Sequence, residues 1–66
     1  MKIKIMSIIR PGQTWQNKNV SFNTMTIVSV GNNLVEYYYN KESYNTTKIR
    51  ASYFAKGIGK FYDLIA

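Results

Sequence analysis

The chain has no cysteine and no histidine, a single proline, and only three acidic residues, Glu36, Glu42 and Asp63. Each shortage removes a class of chemistry. Without cysteine or histidine there is no zinc finger, iron–sulfur site, thiol nucleophile, disulfide scaffold or imidazole base. An all-carboxylate metal site would consume nearly every acid in the chain, so neither a metal nor a cofactor is expected. No segment approaches the roughly 20 apolar residues of a membrane span. The Ile5–Ile9 stretch, broken by Ser7, is shorter than a secretory-signal core, and Arg10-Pro11 follows it with no small-residue cleavage site. The matches to the glycosylation pattern at Asn19 and Asn45 carry no weight without a secretory route. A cytoplasmic protein with no membrane partner is the expectation.

What remains is small, basic and aromatic. Sixty-six residues allow one domain, 1–66. A chain this short buries only about 60% of the surface exposed by its unfolded form, so its core is thin. Aromatic residues make up 15% of the chain, six of them tyrosines. They supply apolar area where disulfides and metals cannot. Self-association, with a homodimer as its simplest form, is the other remedy. The net charge is +6, which points to an acidic protein surface or a nucleic acid as partner.

Period-2 patterning dominates. Lys2-Ile3-Lys4-Ile5 alternates and continues toward Ile8, as a half-buried strand does. Pro11-Gly12 fits the centre of a type II turn. Thr14-Trp15 is a short strand or an irregular loop. Ser21–Val30 is rich in β-formers, but Met25 and Ile27 share one parity and Val28 and Val30 the other. A bulge near Ile27-Val28 reconciles the two. Gly31-Asn32-Asn33 is a hairpin turn, after which Val35, Tyr37 and Tyr39 face one way and Leu34, Glu36 and Tyr38 the other. Tyr37 and Tyr39 are core candidates. Thr46–Ala51 is the next strand. Ser52 caps a single helical turn, Tyr53–Lys56, stopped by Gly57 and Gly59, and Phe61–Ile65 closes the fold. This order predicts a mainly all-β fold, a small five-stranded barrel with one short helical turn before the last strand, whose closure would remove most exposed edges.

The run Pro11-Gly12-Gln13-Thr14-Trp15, then Thr26–Val30, Val35–Tyr39 and Tyr53-Phe54 to Phe61, resembles the small SH3-like proteins common in phage and prophage genomes. The resemblance covers most of the chain and implies an SH3-like barrel and a phage origin. It implies no activity, since fold alone does not fix function.

Catalytic signals fail on inspection. Gly57-Ile58-Gly59-Lys60 lacks the glycine five positions before Gly-Lys and the hydroxyl after it that a phosphate loop needs; Phe54 and Phe61 stand there. A histidine-free nuclease using Tyr38, Lys48 and Arg50 would lack a group that titrates near neutral pH. The protein is not expected to be an enzyme. Basic residues interleaved with aromatics are the stronger signal, because single-strand binders combine a cationic groove with stacking rings. Tyr53 and Tyr62 lie among these cations. Trp15 either plugs the open end of the barrel or anchors a partner. The candidate binding residues are Trp15, Tyr38, Tyr44, Lys48, Arg50, Lys56 and Lys60. They suit a non-catalytic phage-type accessory module that docks on an acidic host protein, a nucleic-acid-handling or anti-phage defence protein, and modulates or inhibits it. Direct binding of DNA or RNA is the alternative, and a self-assembling structural module a third. Clustering of the cations on one face would favour nucleic acid.

Overall fold

The computed structural model describes residues 9–66. Five antiparallel strands form one sheet: β1 (Thr14–Asn17), β2 (Thr24–Gly31), β3 (Leu34–Tyr39), β4 (Thr47–Arg50) and β5 (Tyr62–Leu64). Helix α1 (Ala51–Phe61) precedes the last strand. The mainly β fold with a helix before its final strand is therefore present. The alternating segment over residues 2–8 lies outside the described residues.

The strand order is β4-β3-β2-β1-β5. Among the described residues β4 and β5 stand at opposite edges, so their sheet is open where a closed barrel was expected. The physical reason is the helix. It lies on the inner face and supplies the second wall that barrel closure would have provided. Ala51, Phe54 and Ile58 of α1 join Ile9, Trp15, Met25, Ile27, Val35 and Tyr37 in one core.

Local chemistry sets the register. Pro11 and Gly12 form the expected turn, with Gly12 at φ +91 and the Gln13 N–H donating to the Arg10 carbonyl at 3.3 Å. This is the type II geometry that favours glycine at its third position. Asn32 and Asn33 take φ of 51 and 62, both left-handed, as a two-residue type I′ hairpin requires. The β2–β3 register slips between Ile27 and Ser29. That bulge lets Ile27 and Val30 both face the core while Val28 turns outward.

The helix is longer than a single turn. It starts at Ala51 with Arg50 at the cap position, Ser52 makes no cap, and it runs through Gly57 and Gly59 to Phe61. Each interior glycine costs about 1 kcal/mol. Burial of Phe54 and Ile58, one turn apart, outweighs that cost at about 1.5–3 kcal/mol per side chain. The Asn33 carbonyl takes the Ala51 N–H at 2.7 Å, tying the helix start to the hairpin, and Lys60 in the last turn complements the helix dipole.

Candidate functional site

Extension of α1 past Gly57 creates a feature that a single turn would not. Tyr53, Gly57 and Phe61, spaced i, i+4, i+8, form one line along the flank of the helix. At Gly57 a side chain is missing from that line, and nothing lies within 4 Å of where its Cβ would stand. The result is a groove of about 140 Å³ between helix and sheet. Its walls include Tyr37, Tyr39, Tyr53, Phe54, Phe61 and Tyr62, with Met25 and Ile49 from the sheet. Tyr37 is the hub: its ring meets Tyr39 edge-on at 5.4 Å and Phe54 at 5.3 Å. Burial first, then a hydrogen bond with Tyr39 and the nearby hydroxyls of Tyr39 and Tyr62, push the Tyr37 hydroxyl up to about 12.

Above this floor, large apolar surface stands open. Tyr53 is 60% exposed, Phe61 50% and Tyr39 43%. Cations flank the rings: the Arg50 guanidinium lies 5.8 Å from the Tyr53 ring centre, and Lys60 Nζ lies 5.8 Å from that of Phe61. Helical spacing puts Lys56 and Lys60 on the same outward arc as Tyr53.

The opposite face of the sheet is different. Thr14 and Thr26 share a hydroxyl contact at 3.3 Å, and Glu36 accepts hydrogen bonds from Ser29 Oγ at 3.3 Å and Thr46 Oγ1 at 2.7 Å. Lys48 pairs across the strands with Glu36, and Arg50 with Leu34. This face is polar, carries a carboxylate, and presents one aromatic ring among its strand residues, Tyr38, itself half-buried.

The predicted site residues therefore separate. Lys48 and Tyr38 belong to the outer face near β4, and Lys56 and Lys60 to the helix on the other side, while Arg50, in register with Leu34 of the outer face, turns its guanidinium to the Tyr53 ring at the groove. Tyr44 is 85% exposed in the β3–β4 loop. Trp15 is buried at 3%, its indole N–H donating to Gln13 Oε1 at 3.2 Å. It fills the core and offers no surface to a partner, which corrects its place among the binding candidates. Tyr37 is in the core as expected, while Tyr39 is half open. Sequence reading missed the groove of Tyr39, Tyr53, Phe61 and Tyr62 as a unit. The i, i+4, i+8 spacing of Tyr53, Gly57 and Phe61 was the available signal, and ending the helix at Lys56 concealed it.

Among the described residues, no group of three His, Cys, Asp or Glu side chains converges as metal ligands, and no helix is long and apolar enough to cross a membrane. Compared with protein-family models, curated proteins and solved structures, the chain matches none.

Proposed function

We propose that the protein is a non-catalytic docking module that binds and modulates a protein partner through the aromatic groove between α1 and the sheet. The observation that carries this is the open groove itself: Tyr39, Tyr53 and Phe61 stay about half exposed around an apolar floor in a chain with little core to spare. An apolar centre with a charged rim is the anatomy of a protein interface, and tyrosine is among the residues most enriched at its energetic centre. Arg50, Lys56 and Lys60 on the rim favour an acidic surface and steer association. The phage-type resemblance of the sequence makes a host protein the natural partner.

Binding of nucleic acid is the competing function, favoured by the cation-over-ring pairs at Tyr53 and Phe61. Against it, the described cations do not share one face: Lys48 stands opposite Glu36 on the outer face, while Arg50, Lys56 and Lys60 flank the helix side. The broad outer face has one ring and a central carboxylate, which is not a stacking platform.

Affinity capture with the wild-type protein and with Tyr53→Ser/Phe61→Ser tests the proposal. Both side chains are at least half exposed, so the double variant should stay folded by circular dichroism. A protein retained by the wild type and lost from the variant is the expected result. Identical capture by both, or single-stranded DNA binding that the variant abolishes, would overturn it.

A further inference from the structure

Among the described residues β4 is an edge strand, and none of them pairs with its outward backbone. Even-numbered residues of β3 bond toward β2, as shown by the Asn40 N–H donating to the Thr24 carbonyl at 2.8 Å. Odd-numbered residues therefore bond toward β4, where Val35 pairs with Ile49 and Tyr37 with Thr47. The Ala51 N–H, which bonds back to Asn33, continues that alternation. It leaves the Lys48 N–H and C=O and the Arg50 N–H pointing away from the sheet. Among the described residues no backbone partner meets them outside the β3–β4 ladder.

The two faces of this edge differ. Lys48 projects from the outer face and Arg50, one step along the same edge, reaches round to the Tyr53 ring; both are exposed, while Ile49, half-buried, faces inward and lines the aromatic groove beside Tyr53. We propose that the β4 edge accepts an extended segment of the partner by strand addition. That segment carries acidic residues on the face opposite Lys48 and Arg50 and apolar residues on the face that enters the groove. Main-chain bonds supply affinity in this mode, and alternate side chains supply specificity. A second copy of β4 is a poor occupant. Pairing the edge with itself sets Lys48 and Arg50 against like charges, an arrangement that is destabilising across strands and that natural edges use to keep copies apart.

This inference rests on the docking function proposed above and names the form of the partner. Its test uses the full chain and a blocked peptide of alternating glutamate and valine. Controls are the same peptide N-methylated on its pairing residues and a lysine–valine version. Amide exchange and chemical shifts are followed by NMR. The glutamate–valine peptide should protect the Lys48 and Arg50 N–H groups. N-methylation, or Lys48→Glu/Arg50→Glu in the protein, should weaken binding at least about tenfold. The charge-reversed protein should instead take the lysine–valine peptide. Three results would overturn the proposal: N-methylation without effect, Lys48 and Arg50 N–H groups already protected in the free chain, or shifts that leave β4 unchanged. If the captured partner is lost with Tyr53→Ser/Phe61→Ser but kept with Lys48→Glu/Arg50→Glu, strand addition fails and the groove stands. If both variants keep it, the docking function itself fails.

Discussion

Gly57→Ala should stabilise the protein, although Gly57 looks in the sequence like a helix terminator. Gly57 lies inside α1, Gly12 is the one described glycine with positive φ, and an added Cβ at Gly57 would meet nothing within 4 Å. No steric term therefore opposes the gain in helix propensity, about 1 kcal/mol for alanine over glycine in a helix interior. For a domain this small the urea dependence is about 1 kcal/mol per molar. The unfolding midpoint should rise by about 1 M with an unchanged slope, and the thermal midpoint by about 4–8 °C. Gly12→Ala is the internal control. Its φ of +91 disfavours any Cβ, so it should lower stability by about 1 kcal/mol or more although nothing crowds the site. If Gly57→Ala is neutral or destabilising, α1 does not run through position 57, and the groove built on its far half disappears with it. The new methyl also intrudes on the groove, so partner affinity should fall as stability rises.

Other outcomes follow from the core. Trp15→Ala removes a 3%-exposed side chain at a cost of about 3–5 kcal/mol, enough to unfold a small domain, which should appear as collapsed NMR dispersion. Ile27→Asp should likewise unfold the chain, whereas Val28→Asp should change the stability measured by urea denaturation by less than about 1 kcal/mol, because the bulge keeps Ile27 in the core and turns Val28 outward. Tyr37, held up to about 12, keeps its proton in the folded state after the unfolded chain has begun to lose it. Stability is thus full below pH 10 and falls by about 1.4 kcal/mol per unit between pH 10 and 12. Denaturant titration across that range checks it, with Tyr37→Phe showing the slope reduced.

Much of the fold is legible in the sequence because short-range chemistry decides it. Pro11-Gly12 and Asn32-Asn33 have few alternatives to the turns they make, and the parity conflict across Ile27 and Val28 demands a bulge. The helix length was not legible. Two glycines argue locally for a stop, and the opposing term, burial of Ile58 against the sheet, is tertiary. Barrel closure failed for the same reason, since α1 occupies the inner face that a curled sheet would have covered. At the candidate site, charge and aromatic content were visible, but their division between two sides of a sheet depends on the register. Lys48 and Lys56 are eight positions apart and on different layers. Trp15 was ambiguous because a tryptophan after a Pro-Gly turn suits a plug and an anchor equally well; only its 3% exposure separates them.

The most direct measurement is a fluorescence titration of the protein with short single-stranded DNA, RNA and duplex DNA at two salt concentrations. The +6 charge should give only weak association that disappears at physiological salt and is indifferent to Tyr53→Ser/Phe61→Ser, leaving the aromatic groove for a protein. Micromolar or tighter binding that weakens steeply with salt, and that Lys48→Glu/Arg50→Glu abolishes, would contradict this and make the protein a nucleic-acid binder.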